Sequence, residues 1–447
     1  MDLETLLSPG KSRYRVHIAV AFVLLVLILF GAFSEHSKPS RSTGLSSSWH
    51  FDPERDQRNL GLSDEQCDLA FPGLYAEIDR ARQYYEEAGG INLTEIKLVV
   101  NEPGLVHAQT RVLLYNGNLY VVGDKIGTAQ RERIGYALSN LYRAISSIPD
   151  PRVLPNIEFN IDTGDVPRGG PSDKMPKQAV WAWDRYHKDN STWVMPDFDG
   201  WSYIGANMQG DVGGYGPFRE RIAEIEKNQT FEKKIPKVLW RGTAHLSNGD
   251  VPHLRQDLIA AAEGKEWSDV EAGHFVTQGE HCNWQYLVAT EGYAWGGRMR
   301  YLKNCNSVTI IHQPLHFIAH FYPLLRAEGP DQNFIPVKSD WSDLDEKMQH
   351  YLTHPTEAAT IAKNSVDVFR DRYLTPAAEA CYQRRMIREY AKVQNFEPQL
   401  WKEEVKEDGK VVRKTRGFDW ELWSYMAPCT GPPNPGHPKD QVEFEDI

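Results

Sequence analysis

The stretch "EGYAWGGRMRYLKNC", residues 291–305, decides how the second half of the chain folds. The apolar run just before it, residues 286–290, predicts a strand, and "SVTIIH" after it, residues 307–312, predicts another. Between them, "WGGRMRYLKN", residues 295–304, predicts a helix. Two strands joined through a helix form a βαβ unit, here with a glycine-rich first turn.

The glycines and arginine of this turn indicate an anion site. Glycine lets the backbone approach a ligand closely, and arginine is a forked donor suited to phosphate. A helix N-terminus adds free N–H groups and the positive end of the helix dipole. Arg298 lies in the first turn of the predicted helix, after Gly292, Gly296 and Gly297. We interpret the turn as a diphosphate cradle, although its spacing is not that of the dinucleotide motif GxGxxG. The alternative is an ordinary turn whose arginines face solvent.

Helix and strand patterns alternate through much of the chain. Helices are predicted over residues 74–89, 132–147 and 314–325, and a strand over residues 157–162. This alternation favours an α/β fold. A length of 447 residues exceeds one ordinary core, so two domains are expected. The net charge of −11 argues against a general nucleic-acid-binding surface.

An apolar run near the N-terminus, residues 16–33, follows Lys11, Arg13 and Arg15. As a helix its 18 residues would be about 27 Å long, close to the hydrocarbon thickness of a secretory-pathway membrane. Because the basic residues precede the run, we expect an uncleaved type II anchor with residues 1–15 as a cytoplasmic tail. The alternative is a cleaved signal peptide, whose apolar core is usually shorter.

The sequence after the predicted anchor is typical of a domain located in the lumen of the secretory pathway. Residues 34–55 begin with a serine-rich run and predict a polar stem. Three N-glycosylation acceptors follow at Asn92, Asn190 and Asn228. The five cysteines contain no CxxC pair, so a zinc or thioredoxin-like site lacks support, whereas disulfides suit this compartment. The cysteines are Cys67, Cys282, Cys305, Cys381 and Cys429.

Five segments together carry a family resemblance. They are "FNIDTGDVPR" (159–168), "VLWRGTAHLSNGDVPHLRQDL" (238–258), "HCNWQYLVATEGYAWGGRMRYLKNCNSVTII" (281–311), "FYPLLRAEGPDQNFIPVKSDWSDL" (321–344) and "FRDRYLTPAAEACYQRRMIREY" (369–390). In this order and at these spacings they resemble glycosyltransferase family 90, which includes Rumi-type protein O-glucosyltransferases and fungal capsule-associated xylosyltransferases. The likeness covers about residues 150–395, and the form of residues 291–298 is closer to the fungal members.

The resemblance implies a GT-B architecture, in which two Rossmann-like domains face each other across a cleft. Residues 56–225 would form the acceptor-side domain and residues 226–395 the UDP-sugar-binding domain, and residues 396–447 would be a partly disordered extension. The implied activity is inverting transfer of glucose or xylose from a UDP-sugar to a hydroxyl on a protein or glycan, in the lumen of the Golgi or endoplasmic reticulum. The alternative is a non-catalytic sugar- or protein-binding member that retains the fold.

Residue roles follow from the same resemblance. Asp165 would be the catalytic base, and Arg298 would bind the diphosphate of the donor. The other donor contacts would be Thr243, Arg255, Tyr293, Ala294, Trp295, Gly296 and Gly297. The acceptor-side residues would be Pro196, Phe198 and Trp201. Gly296 departs from the family, which usually has serine there, so one side-chain contact is missing.

The role of Asp165 also makes chemical sense, because an inverting transfer needs a base that takes the proton of the acceptor hydroxyl. Asp162 is the rival base, and a turn-forming role for both aspartates is the structural alternative. No metal or other cofactor is expected, with the UDP-sugar counted as a substrate. The alternative is a divalent metal at the DxD triplet of residues 197–199, the pattern by which another glycosyltransferase fold holds one. Such triplets are common, and a second one at 343–345 lies at a predicted helix start, where aspartate acts as a cap.

Three further expectations concern the aromatic residues, His281 and the cysteines. The aromatic residues within 181–203 either stack on sugar rings or fill the core, and the sequence leaves both open. His281 is predicted to be structural. The resemblance implies two disulfides, Cys282–Cys305 and Cys67–Cys381, with Cys429 unpaired.

Overall fold

Two larger β-sheets, drawn mainly from the two halves of the sequence, organise the part of the chain that the structure describes. The computed structural model describes residues 49–98, 109–125, 128–164, 169, 177–198, 214–246, 249–274, 276–405 and 408–426. None of the helices in these segments is long and apolar enough to cross a membrane. The predicted tail and anchor, residues 1–33, lie outside the described residues, and so do Asp165, Trp201 and Cys429.

The first sheet has the strand order β15-β2-β1-β3-β4-β6. Its strands are β1 Gln109–Tyr115, β2 Asn118–Lys125, β3 Ile157–Asp162, β4 Val180–Ala182, β6 Trp193–Val194 and β15 Phe418–Asp419. β1 runs antiparallel to β2 and β3, whereas β3, β4 and β6 are parallel. The β1–β2 hairpin turns at Asn116 and Gly117, whose positive φ angles suit the tight turn that hairpins favour.

Helices cover the sheets and join them. They are α1 Pro53–Asp56, α2 Asp64–Ala70, α3 Ala76–Ala88, α4 Thr128–Ser146, α5 Tyr215–Glu226, α6 Leu254–Ala262, α7 Arg298–Leu302, α8 Leu344–Thr353, α9 Pro355–Ser365, α10 Pro376–Val393 and α11 Trp420–Met426. The helices predicted over 74–89 and 132–147 are confirmed as α3 and α4. Although α10 comes late in the chain, its Tyr390 packs against Phe159 and Trp181 of the first sheet.

The second sheet is parallel throughout and confirms the βαβ unit predicted around residue 291. Its strands are β7 Ile235–Gly242, β8 Ser268–Ala272, β9 Trp284–Ala289, β10 Val308–Gln313 and β12 Ile335–Lys338. The order is β12-β10-β9-β7-β8, so the chain builds outward from β7 in both directions. In doubly wound sheets of this order, ligands bind at the carboxyl ends of the strands where the direction reverses. Here that place lies between β7 and β9.

Two small antiparallel ribbons complete the described strands. One pairs β13 Trp401–Val405 with β14 Val411–Thr415. The other pairs β5 Asp184–Tyr186 from the first half with β11 Phe317–Ala319 from the second. The helix predicted over 314–325 is therefore wrong, because this segment exchanges backbone hydrogen bonds with β5. The α/β class is confirmed, and the facing of two domains across a cleft stays a prediction.

Both implied disulfides are present. Cys67 of α2 is bonded to Cys381 of α10, with their Cα atoms 5.6 Å apart. Cys282, just before β9, is bonded to Cys305, just after α7, with their Cα atoms 5.0 Å apart. The first bridge ties an early helix to the last long one, and the second closes the glycine-rich βαβ unit.

Removing the long-range disulfide should destabilise the fold. We expect the double variant Cys67→Ser/Cys381→Ser to lose about 2–5 kcal/mol of unfolding free energy, because the bridge restricts the unfolded chain. Urea denaturation of the variant and of the parent measures the difference. Cys429→Ser is the matched control and should leave the urea midpoint unchanged, and an unchanged midpoint for the double variant would refute a structural role for the bridge.

Candidate functional site

A cavity of about 400 Å³ opens at the carboxyl edge of the second sheet. Thr243 follows β7, Gly273 follows β8 and Thr290 follows β9, and all three line it. Arg255 enters from the first turn of α6, and Arg298 is the first residue of α7. The cavity therefore lies at the point where the strand order reverses, the expected ligand position in such a sheet.

Arg255 and Arg298 give this cavity an uncompensated positive charge. Among the described residues, no carboxylate forms an ion pair with either guanidinium group, although both side chains are largely shielded from solvent. Burial lowers the pKa of Arg255 to about 10. Burial and the charge of Arg255 together lower the pKa of Arg298 to about 10. Both groups therefore remain cationic at neutral pH, and an anionic ligand would relieve their repulsion.

Backbone carbonyl groups hold the two guanidinium groups in place. Arg255 donates from Nε to the carbonyl oxygen of Glu291 at 3.0 Å and from Nη1 to that of Thr243 at 3.1 Å. Arg298 donates from Nη1 to the carbonyl oxygen of Arg241. Carbonyl acceptors orient an arginine without cancelling its charge, so both cations stay available to a ligand.

The "WRG" segment at the end of β7, residues 240–242, stabilises the strand ends next to the two arginines. Trp240 is buried in the core, and its indole N–H donates to Thr290 Oγ1 at 3.3 Å, which links the ends of β7 and β9. Arg241 forms an ion pair with Asp269 at 2.5 Å, so its charge is neutralised. A Cβ at Gly242 would lie 2.8 Å from the Trp240 ring, so glycine is needed there.

Glycine is present at positions 292, 296 and 297 of the opening stretch for different structural reasons. A Cβ at Gly292 would lie 2.6 Å from Arg255 Nη2, so this glycine makes room for the cation. Gly296 has φ +68°, and a Cβ there would collide with the carbonyl oxygen of Thr290. Gly297 has no such constraint, since its nearest neighbour would be 3.6 Å away. The serine that the family usually carries at 296 would thus be strained on this backbone.

The loop between these glycines is anchored on both sides. The N–H of Trp295 donates to Asp184 Oδ2 at 3.2 Å, and the hydroxyl of Tyr322 donates to the carbonyl oxygen of Trp295 at 2.7 Å. Ala294 and Trp295 are buried, whereas Tyr293 is 62% exposed. Five of the predicted donor residues line the cavity, namely Thr243, Arg255, Gly296, Gly297 and Arg298, whereas Tyr293, Ala294 and Trp295 lie in the adjoining loop outside its lining. Donor binding by these residues stays a prediction.

Arg300, the second arginine of the stretch, does not line the cavity. It is buried and forms ion pairs with Asp197, at 3.1 Å, and with Glu379 of α10. Burial raises the pKa of Glu379. Arg300 therefore joins α7 to the segment after β6 and to α10. Because Asp197 is committed to this cluster, the first half of the 197–199 triplet is an ion-pair partner, and Asp199 lies outside the described residues.

The predicted base, Asp165, lies outside the described residues, which stop at Gly164, two residues after the end of β3. Asp162 is 2% exposed, and its Oδ1 accepts a hydrogen bond from the N–H of Gly164 at 2.9 Å. Arg133 donates to the carbonyl oxygen of Thr163 at 3.3 Å. Asp162 thus shapes the turn that leads toward Asp165.

The predicted acceptor-side residues that the structure describes are buried. Phe198 meets the Trp183 ring edge-on at a centroid distance of 5.2 Å, and the Arg133 guanidinium lies 4.9 Å from the centre of the Phe198 ring. Pro196 is also buried. Trp181, Trp183 and Trp193 lie in the core as well. For the described aromatic residues the core interpretation holds, and an acceptor role for Pro196, Phe198 and Trp201 stays a prediction.

His281 lies beside the cavity and has a supporting position. It is buried, and its Nδ1 lies 2.8 Å from the carbonyl oxygen of Thr277, to which it donates. Burial and the charges of Arg298 and Arg241 lower the pKa of His281 to about 4, so the ring is neutral at physiological pH. This agrees with the predicted structural role.

Comparison with known proteins identifies relatives for most of this region. The family model described as Glycosyl transferase family 90 matches residues 70–434. Protein O-glucosyltransferase 2 of Danio rerio is 24% identical over 326 residues, which is 68% of this chain and 59% of that protein. Protein O-glucosyltransferase 1 of Rattus norvegicus is 25% identical over 261 residues, 55% of this chain and 64% of that protein.

Protein O-glucosyltransferase 3 of Rattus norvegicus is 32% identical over 261 residues, 55% of this chain and 49% of that protein. The chain thus spans roughly half to two thirds of the length of these curated relatives. The predicted resemblance to the family is confirmed, and the closer likeness to fungal members stays a prediction.

The arginine pair predicts that a diphosphate stabilises the protein. Inorganic pyrophosphate at a hundred times its Kd should raise the unfolding free energy by about 2.7 kcal/mol. Urea denaturation at matched ionic strength measures it. Arg298→Ala should remove most of the effect. Arg152→Ala is the control, because Arg152 is exposed and paired with Asp150. Equal stabilisation of the parent and Arg298→Ala would contradict the arginine-pair site.

Proposed function

Because the chain belongs to glycosyltransferase family 90, we propose that it transfers a sugar from a UDP-sugar to a hydroxyl acceptor with inversion at the anomeric carbon. The observation that carries the proposal is the pair Arg255 and Arg298, two cations without a described carboxylate partner at the switch point of a parallel sheet. A nucleoside diphosphate supplies the negative charge that this place lacks.

The same pair serves the chemistry as well as binding. Negative charge builds up on the diphosphate as the bond to the sugar breaks, and fixed cations stabilise it without a proton. Arg255 and Arg298 are held by carbonyl groups before the donor arrives, so little reorganisation is needed. This is how the site makes UDP a good leaving group.

Glucose or xylose is the proposed sugar, and a protein or glycan hydroxyl is the proposed acceptor. The relatives are named protein O-glucosyltransferases, which favours glucose and a protein hydroxyl for this chain. No metal is part of the proposal, because the two guanidinium groups already provide the charge that a divalent cation would bring to the diphosphate.

Asp165 is the proposed general base. Asp162, its rival, is buried and accepts the N–H of Gly164, so its carboxylate has a structural task in the turn. In the sequence, Asp165 comes directly after this turn, three residues after the last residue of β3. That position supports a role at the acceptor hydroxyl.

A lumenal location in the Golgi or endoplasmic reticulum, behind a type II anchor at residues 16–33, completes the proposal. The two disulfides suit an oxidising compartment. The sequon residues Asn92, Asn190 and Asn228 are all exposed, as acceptors of N-linked glycans must be.

Asp165→Asn tests the chemistry and separates an enzyme from a binding protein. We expect transfer from UDP-sugar to acceptor to fall by about 10²–10⁴-fold, the usual worth of general base catalysis, with little change in UDP affinity. Single-turnover transfer and calorimetry measure the two. Asp162→Asn is the matched control and should keep most of the activity, because its amide oxygen can still accept from Gly164.

Two results would count against this proposal. Near-normal transfer by Asp165→Asn together with loss in Asp162→Asn would move the base to Asp162. Tight binding of UDP by the parent with no transfer or hydrolysis across a panel of UDP-sugars would favour the non-catalytic binding member.

A further inference from the structure

Glu291 is a buried carboxylate whose side-chain hydrogen bonds go to the start of β11, while Nε2 of His312 in β10 lies 3.7 Å from its Oε2 and accepts its backbone N–H at 3.4 Å. The residue is 1% exposed. Its Oε1 accepts from the N–H of His316 at 2.7 Å and from the N–H of Phe317 at 2.8 Å. Its Oε2 lies 3.1 Å from Nδ1 of His316. Three donors on one carboxylate fix the position of this side chain.

The backbone of the same residue faces Arg255. The carbonyl oxygen of Glu291 accepts from Arg255 Nε at 3.0 Å. The following residue, Gly292, lies so close that a Cβ there would be 2.6 Å from Arg255 Nη2. Residue 291 is thus placed between β11 and the guanidinium group, with its side chain bound to β11 and its carbonyl to the cation.

The charge of Glu291 is directed away from the cavity. Its carboxylate oxygens bond to His316 and Phe317, and it forms no ion pair with Arg255 among the described residues. A carboxylate facing the guanidinium would neutralise it and weaken anion binding. Here the residue orients Arg255 through an uncharged carbonyl, so the cation is held without losing its charge.

We propose that Glu291 is a positioning residue for the donor diphosphate, acting through Arg255. By tying the start of the glycine-rich loop to β11, it sets the carbonyl group that aims the Arg255 guanidinium at the cavity. It does not contact the donor itself. The inference rests on the proposed function, because the anion concerned is the diphosphate of the UDP-sugar.

Three substitutions of Glu291 test the proposal. Glu291→Ala removes the tie to β11, and we expect UDP to bind about tenfold more weakly. Glu291→Gln keeps a carbonyl oxygen for the two backbone N–H groups, so it should restore most of the affinity. Glu291→Asp keeps the charge but is one methylene shorter, so it should resemble Glu291→Ala. In steady-state transfer the loss should appear in the donor KM, with the acceptor KM unchanged.

Glu226→Ala is the matched control. Glu226 is also a shielded carboxylate that accepts a backbone N–H, that of Asn306 at 2.6 Å, and it pairs with Lys234 and Arg370. Asn306 precedes β10, so this contact lies at the amino edge of the sheet, opposite the cavity. Glu226→Ala should lower the melting temperature and leave UDP affinity unchanged.

A double-mutant cycle asks whether Glu291 acts through Arg255. Glu291→Ala added to Arg255→Ala should cost no further UDP affinity, because the positioned group is already gone. Additive losses would overturn the proposal, and so would an equal loss of UDP affinity in Glu226→Ala. If Glu291→Ala does not fold, the pair Glu291→Asp and Glu291→Gln decides, and equal UDP affinities for these two would overturn it.

The parent protein separates this inference from the proposed function. Failure of the parent to bind UDP in calorimetry would remove both. Binding by the parent that Arg255→Ala weakens and Glu291→Ala does not would remove only the role of Glu291.

Discussion

The unneutralised charge of Arg255 and Arg298 is the constraint on which the rest of the site depends. Burying two guanidinium groups in one cavity without a carboxylate is costly: burial lowers the pKa of Arg255, and burial together with the charge of Arg255 lowers that of Arg298. The fold tolerates it because carbonyl groups at the ends of β7 and β9 accept their hydrogen bonds. Gly292 follows from the same need, since a Cβ there would lie 2.6 Å from Arg255 Nη2, whereas Gly296 is required by its positive φ and by the nearby carbonyl oxygen of Thr290.

The short helix α7 divides its two arginines between ligand and fold. Residues two apart on a helix point about 200° away from each other. Arg298 therefore meets the cavity while Arg300 meets Asp197 and Glu379 in the interior. Breaking such a buried cluster leaves uncompensated charge, so α7 has one preferred orientation. Through Asp197 this orientation is linked to the segment that leads to the predicted acceptor side.

The sequence best predicts those structural features that are determined by residues close together in the chain. The strands around residue 291 and the helices α3 and α4 follow from periodicity in their own residues. Arg298 follows from its place after a glycine-rich turn, and Arg255 and both disulfides come from resemblance to the family. The strands, the helices and Arg298 need little knowledge of distant parts of the chain, whereas the Cys67–Cys381 bridge, 314 residues apart in sequence, is predicted only through that resemblance.

What the sequence misses depends on long-range pairing. The segment 314–325 has a helical pattern but contains β11, because β5 offers it backbone partners from more than a hundred residues away. Asp184 and Glu291 show no motif, and their roles come from N–H groups brought to them by the fold. A carboxylate next to a glycine-rich turn is the only local signal that Glu291 gives.

A crystal structure of the protein with UDP would show directly whether Arg255 and Arg298 bind the diphosphate. We expect the diphosphate to lie at the carboxyl ends of β7 and β9, within hydrogen-bonding distance of both Arg255 and Arg298, with the loop around Gly292 and Gly296 unchanged. A diphosphate bound elsewhere, or one at this edge that contacts neither guanidinium group, would contradict it.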